Sequence, residues 1–204
     1  MPHSSTVSFL SYWRGLQTSP ERAPSRDRFD PARLKSLIPQ MIMISTTEPA
    51  YRFRLSGGFL VALHGYELKE ASFMGLFRSP FHDTVEAAIQ MSLRRQQPLI
   101  LTVTAPWQTF VSMKEDGRTG DDDSPAQLSQ SETVSFEICL CPMLNRDGQV
   151  DRLVGIYQTL SPMPKNPHGT IGRYTLMASR LHEQQRHIRA AHLRLVASEG
   201  RRIA

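Results

Sequence analysis

Residues 51–76 decide the fold, and they read YRFRLSGGFLVALHGYELKEASFMGL. Apolar and polar side chains alternate over residues 51–56, which predicts a half-buried strand. Glycines at positions 57 and 58 permit a sharp turn. An apolar stripe over residues 59–63, followed by Gly65, predicts a short helix that ends at a glycine. A strand that leads directly into such a helix builds one wall of a pocket, and this stretch carries no evident catalytic group.

The sequence on both sides of this unit predicts further strands and helices. Apolar periodicity and capping residues place helices over residues 6–16, 30–38 and 80–96. Strands are predicted over residues 41–44, 51–56, 98–105, 133–141 and 152–160, with a hairpin turn at 145–148. Two early and three late strands separated by helices favour an α+β domain with an antiparallel sheet.

Several short motifs occur in a fixed order along the chain. They are Tyr12-Trp13, then Arg22, Pro24 and Arg26, then Asp30-Pro31, then Arg54-Leu55-Ser56-Gly57, then Gly65-Tyr66. From about residue 9 to about residue 160 this ordered set resembles the PAS-like sensory domain family common in alphaproteobacteria. The resemblance implies a bacterial single-domain PAS protein with a five-stranded antiparallel sheet, short helices on one face, N-terminal helices and a C-terminal helix.

Composition divides the chain into segments. An N-terminal helical extension is predicted over residues 1–40, and a PAS-like core over residues 41–160. Within the core, residues 114–131 are acidic and poor in apolar side chains, which predicts a mobile loop. Prolines and glycines make residues 161–172 a linker, and residues 173–204 are predicted to form a basic amphipathic helix.

The predicted C-terminal helix holds the whole net charge of +5, because it carries seven arginines and two acidic residues, and seven minus two is five. Its apolar residues recur at alternating steps of three and four, with Gln184 as a polar exception. The stripe is Tyr174, Met177, Leu181, Gln184, Ile188, Ala191 and Leu195. Such a stripe predicts packing against a second copy in a homodimer, or folding back over the sheet. The alternative is that the arginines from Arg173 to Arg202 bind nucleic acid or an anionic membrane.

The leading hypothesis places a ligand pocket between the helices and the sheet. The expected apolar lining is Phe59, Leu63, Phe73, Leu76 and Phe77 from the helices, and Ile100, Phe136 and Ile138 from the sheet. Arg94 and Arg95 close the long helix, where paired guanidinium groups would clamp the phosphate of a ligand such as a cyclic dinucleotide. For the two arginines, the alternative is ordinary placement of cations at a helix C-terminus. For the pocket, the alternative is a filled core, in which case the domain would serve only as an adaptor.

His64, Cys139 and Cys141 are the candidates for cofactor or metal chemistry. His64 would be the ligand of a haem iron, but a polar residue at a helix C-terminus is the favoured interpretation. The helical region after residue 65 has no cysteine, which argues against flavin photochemistry. Cys139 and Cys141 lie two apart on a strand and point the same way. We interpret them as buried fillers rather than as metal ligands or a redox switch, and no cofactor or metal is required by the sequence.

The remaining features argue against an enzyme. No nucleophile elbow, Walker loop, zinc-protease motif or dinucleotide glycine fingerprint occurs in the 204 residues. Two cysteines are too few for a disulfide framework, which favours a reducing compartment. The N-terminus has no apolar signal run and no stretch reaches membrane-spanning length, so we expect a cytoplasmic protein.

The function expected from these observations is stand-alone regulation. The resemblance implies a sensor that binds a small ligand or a partner and signals through protein–protein contact, with another signalling protein or with itself. Binding of nucleic acid or an anionic membrane through the tail remains the alternative function.

Overall fold

The computed structural model describes residues 1–47, 51–109, 132–164 and 169–182, together with the backbone of two short strands near the C-terminus. The α-helices are α1 (Ser4–Gly15), α2 (Gly58–His64) and α3 (His82–Arg95), and 3₁₀ helices span Arg26–Arg28, Pro31–Gln40, Met74–Leu76 and Ser79–Phe81. The strands are β1 (Met41–Ser45), β2 (Phe53–Ser56), β3 (Leu99–Thr109), β4 (Thr133–Leu144), β5 (Val150–Thr159), β6 (Gly169–Ile171), β7 (Thr175–Leu181), β8 (Ala197–Ser198) and β9 (Arg201–Arg202). No helix in the described ranges is long and apolar enough to cross a bilayer.

Gly57 and Gly65 are required for different reasons, one for space and the other for its backbone angle. Gly65 ends α2 with φ of 77°, in the left-handed region where a side chain is strained, as the sequence predicted. Gly57 has an ordinary φ of −72°, so it is not needed for its backbone angle. A Cβ at position 57 would instead collide with the carbonyl of Pro39. The turn at residue 57 therefore depends on close backbone approach, which lets α2 begin directly beside the 3₁₀ helix at residues 31–40.

The main sheet confirms the predicted α+β class and its antiparallel strands. Its order is β2-β1-β5-β4-β3, and both β6 and β7 pair with β3 at the far side. Within this sheet Met43 of β1 lies opposite Leu55 and Val154, and Leu101 of β3 lies opposite Ile138. The five predicted strands are all present within a few residues of their expected bounds.

Both faces of the sheet are covered. One face packs against α2 and α3 through a large core that includes Leu101, Phe136 and Tyr157. The other face packs against α1 and the 3₁₀ helix at residues 31–40. Trp13 of α1 is 2% exposed and donates its Nε1 hydrogen to the Pro142 carbonyl at 3.0 Å. The N-terminal segment is therefore part of the domain's packing, since it supplies the second layer.

The C-terminal prediction is wrong over residues 169–182. β6 lies inside the predicted linker, and β7 replaces the start of the predicted basic helix. β3 extends to Thr109, and the side of β3 that faces away from β4 has backbone N–H and C=O groups that need hydrogen-bond partners. The chain satisfies that edge by running antiparallel to it, with Trp107 opposite Ile171 and Val103 opposite Leu176. The acidic loop at residues 114–131 and most of the tail after residue 182 lie outside the described residues.

Candidate functional site

Most of the predicted pocket residues come together, but they fill the space they were expected to line. Leu63, Phe73, Leu76, Phe77, Phe136 and Ile138 belong to one buried cluster, and Phe59 packs against it partly exposed. The Phe73 and Phe77 ring centroids are 5.3 Å apart, and those of Phe53 and Phe73 are 5.8 Å apart, both edge to face. These contacts match the alternative raised from the sequence, in which the core is filled.

Ile100 and the two arginines do not join this cluster. Ile100 points to the opposite face of the sheet, under α1, because its neighbours Leu99 and Leu101 point toward the helices and side chains alternate along a strand. Arg94 and Arg95 are exposed at the C-terminal end of α3. The Arg94 Nε hydrogen is directed at the Gln90 carbonyl at 3.4 Å, within its own helix. The predicted phosphate clamp is therefore not assembled with the apolar pocket residues.

Tyr174 occupies the centre of the filled core, and sequence reasoning missed it. Its side chain is fully buried, with ring centroids 5.6 Å from Phe77, 5.7 Å from His64 and 6.2 Å from Phe136. The Tyr174 backbone N–H donates to the Leu76 carbonyl at 2.8 Å, and the Arg78 N–H donates to the Tyr174 carbonyl at 3.0 Å. The sequence pattern makes Tyr174 the first apolar residue of a predicted helical stripe, although a lone aromatic beside a Thr-Leu pair also fits a strand.

His64 is held in a neutral state beside Tyr174. Its Nε2 and the Tyr174 hydroxyl share a hydrogen bond of 2.8 Å, and burial lowers the pKa of His64 to about 4. Burial also raises the pKa of Tyr174, so both groups are uncharged at neutral pH. The dipole argument for His64 is therefore wrong, because that argument needs an imidazolium cation. The Nε2 atom that would bind a haem iron is engaged by Tyr174, so the geometry gives haem ligation no support.

Cys139 and Cys141 lie beneath α1 on the other face of the sheet. Both side chains are fully buried, and their sulfur atoms are 3.9 Å apart without a disulfide. Burial raises the pKa of the Cys141 thiol, which keeps it protonated and unreactive. Within the described part of the chain, no group of three or more His, Cys, Asp or Glu side chains is placed to hold a metal ion. The packing interpretation of the two cysteines fits this geometry.

An open cleft of about 600 Å³ lies beside Tyr174, where the end of α2 meets β3 and β6. The lining comprises His64, Tyr66, Gly75, Leu76, Arg78, Pro106, Gln108, Ile171, Gly172 and Arg173. Of the predicted pocket residues, Leu76 alone is part of this lining. The cleft is therefore distinct from the pocket that the sequence suggested, although the two regions share Leu76.

Two tail arginines, Arg173 and Arg180, have described side chains, and both lie on the folded domain. Arg173 lines the cleft, and Arg180 of β7 lies 3.7 Å from the carboxylate of Glu137, which also accepts the backbone N–H of His3 at 2.9 Å. Glu137 therefore contacts both the N-terminal residue His3 and Arg180 of β7. These positions give no support to the alternative function, in which the tail binds nucleic acid or a membrane.

Three solved structures of sensory proteins are similar to this chain, each at low sequence identity. A sensory box sensor histidine kinase from Vibrio cholerae is 10% identical, with 65% of this chain and 90% of that chain covered and a TM-score of 0.39. The light-oxygen-voltage (LOV) protein of Rhodobacter sphaeroides is 12% identical, with 65% and 69% covered and a TM-score of 0.40. An RNA-binding light-oxygen-voltage receptor is 14% identical, with 64% and 33% covered and a TM-score of 0.40.

Comparison with sequence families gives a direct assignment. Among curated proteins, none matches the chain significantly. The sequence model of the PAS domain matches residues 1–115, which is more than half of the chain and includes α1 as well as the strands and helices of the opening stretch. The chain belongs to the PAS domain family.

Proposed function

We propose that this PAS domain protein is a sensory regulator that signals through contact with another protein or with a second copy of itself. PAS family membership supports the sensory role. The proposal includes that the chain is not an enzyme and that it acts in the cytoplasm. Three of its buried ionisable side chains are consistent with this, since His64 is neutral and bonded to Tyr174, and the thiols of Cys139 and Cys141 are buried and unlinked.

The single observation that carries the proposal is the attachment of β7 to the core through Tyr174. The Tyr174 side chain contacts residues from α2, the 3₁₀ region and the sheet, while its backbone bonds to residues 76 and 78. Thr175 begins β7 directly after it. A ligand or partner that shifts His64 or Phe77 must therefore move Tyr174, and with it the start of an exposed edge strand. Two positions of this strand would be the two signalling states.

An apolar groove supplies a surface for the partner. It lies across β1, β2, β4 and β5 beside the N-terminal 3₁₀ helices, encloses about 540 Å³, and includes Phe29, Ile38, Met41, Leu55 and Met143 in its lining. Leu55 is 45% exposed and Ile38 is 43% exposed. Contiguous exposed apolar surface on a globular domain marks interaction sites. We propose that this groove receives the partner protein or the second copy.

The test of this proposal is a pair of surface substitutions on the full chain. Leu55→Glu places a charge in the groove, and Met91→Glu places the same charge on α3 at a side chain of matching exposure, 46%. Light scattering measures self-association. A partner is sought by affinity purification from the native host, and each enriched protein is then titrated with the purified chain to measure direct binding. We expect association to be lost in Leu55→Glu and kept in Met91→Glu. Equal association in both variants, or a monomer with no direct binder, refutes the proposal.

A further inference from the structure

The cleft beside Tyr174 carries two positive charges at its rim. Phe77 and Tyr174 form an isolated parallel bridge and both point into the core. Side chains alternate along extended backbone, so Arg78 and Arg173, each one residue away, point outward instead. Both are exposed and both line the cleft. The bridge that anchors Tyr174 therefore also brings two guanidinium groups to the same opening.

No carboxylate in the described part of the chain neutralises the charge of these two arginines. The cleft lining includes no Asp or Glu. In the ranges that the structure describes, neither Arg78 nor Arg173 is within 4.0 Å of a carboxylate, whereas Arg26, Arg54, Arg146, Arg152 and Arg180 each are. Two guanidinium groups that line one cleft repel each other, and an oxyanion bound by both would offset that repulsion.

The rest of the lining is suited to an organic body rather than to a bare ion. Leu76, Pro106 and Ile171 contribute apolar surface, and the Tyr66 ring and the Gln108 amide contribute a flat face and a hydrogen-bonding group. A volume of about 600 Å³ lies within the range of ordinary small-molecule sites. A cleft with an apolar wall and two cations at the rim selects molecules that have an apolar part and an anionic group.

We propose that the cleft binds a small organic anion, with its carboxylate or phosphate held by Arg78 and Arg173 and its apolar part against Leu76, Pro106 and Ile171. This inference rests on the proposed sensory function and names the chemical class of the signal. Because Arg173 precedes Tyr174 and Arg78 follows Phe77, an anion held by both arginines connects the two chain segments that the bridge joins. Ligand binding would then tighten the attachment of β7 to the core.

Calorimetric titration of the full chain tests the ligand class with four probes. Phenyl phosphate and benzoate combine a ring with each anionic group, inorganic phosphate offers the anion alone, and benzyl alcohol offers the ring without a charge. We expect binding of one or both ring anions, weaker binding of phosphate, and none of benzyl alcohol. Comparing phenyl phosphate with benzoate distinguishes a phosphate ligand from a carboxylate ligand. Affinity should fall as salt is raised from about 0.05 M to about 0.5 M, because an exposed ion pair is screened.

Matched double variants test the two arginines. Arg78→Gln with Arg173→Gln removes both cations of the cleft, and Arg28→Gln with Arg33→Gln removes two exposed cations elsewhere, so the net charge changes equally. We expect a loss of affinity of about tenfold or more in the cleft variant, as for a charge-assisted pair. The control variant should bind as the unsubstituted chain does.

Several outcomes overturn this inference. They are an equal loss in both double variants, binding of benzyl alcohol as tight as that of the ring anions, or no binding up to about 10 mM, which would saturate a site with a Kd of about 1 mM. Binding of single-stranded DNA through the same arginines without binding of the small anions also overturns it. The groove variant Leu55→Glu measures partner contact independently. If the unsubstituted chain binds its partner and Leu55→Glu does not, while none of the anions binds, then the ligand class is refuted and the proposed function is not.

Discussion

Mild acid is expected to weaken the fold through His64. Burial lowers the pKa of His64 to about 4, against an ordinary value of 6.5 in the unfolded chain. Between these two values the unfolded chain binds a proton that the folded chain does not. Stability therefore falls as pH is lowered through this window, and it is unaffected by His64 above the unfolded pKa.

The size of the effect follows from the two pKa values. For one group that titrates near 6.5 when unfolded and near 4 when folded, lowering the pH from about 7.5 to about 5 costs roughly 2 kcal/mol in the free energy of unfolding. The full loss, reached below about pH 4, is roughly 3 kcal/mol, because each pKa unit is worth about 1.4 kcal/mol. For a domain of ordinary stability this is a large fraction of the total.

Urea unfolding at the two pH values measures the effect. Other titratable groups also contribute to the pH dependence. The quantity to compare is therefore the decrease in the free energy of unfolding between the two pH values, in the unsubstituted chain minus that in His64→Gln. We expect this difference to be about 2 kcal/mol. Tyr174→Phe is the matched control, since it removes the hydrogen bond to His64 but leaves a buried, titratable imidazole. The reasoning is refuted if His64→Gln loses as much stability in acid as the unsubstituted chain.

Three further substitutions test the packing. Tyr174→Ala should cost about 3–5 kcal/mol and speed hydrogen exchange in β7 above that of β4, whereas equal protection would show that this side chain does not anchor the strand. Glu137→Gln should lower the free energy of unfolding by about 1 kcal/mol or less, because the pair with Arg180 is long at 3.7 Å and Arg180 is 48% exposed; Glu137 itself is 3% exposed, but an amide there keeps an oxygen for the His3 N–H, and a loss of several kcal/mol would contradict this. Gly155→Ala should cost more than about 2 kcal/mol in thermal unfolding, because its Cβ would collide with the Cys139 carbonyl, and an unchanged Tm would contradict that account.

The elements that sequence analysis predicted correctly are those whose signals are local. β1, β4 and β5 carry long runs of apolar or alternating side chains, and Gly65 marks the end of α2 because only a left-handed residue satisfies the last carbonyls there. Ile100 shows an error that the strand period could have prevented. Leu99, Leu101, Val103 and Ala105 alternate with Ile100, Thr102 and Thr104, so Ile100 belongs on the face opposite the apolar set. That face is buried as well, because α1 covers it, so an apolar residue there is not a sign of the pocket.

The cleft could not be predicted from the sequence, because no local pattern brings its parts together. Arg78 and Arg173 are separated by 95 positions (173 minus 78), and they meet only because Phe77 and Tyr174 form a bridge. That bridge exists only if the chain returns along β3 as a strand. A sequence interpretation that makes residues 173–204 a helix removes both the bridge and the cleft at once.

The competition between helix and strand at Tyr174 explains this error in physical terms. A spacing of three and four suits a helix, but over residues 174–181 the side chains that contact the core, Tyr174, Leu176 and Leu181, do not lie on one helical face. An isolated helix here would gain little, since helix formation needs a well-packed apolar face. As β7 the same residues pair with the edge of β3 and place Tyr174 among aromatic rings. Burial of one large aromatic side chain and an extended ladder of backbone hydrogen bonds outweigh the local pattern, and the resulting fold places Tyr174 between the cleft and the edge strand β7.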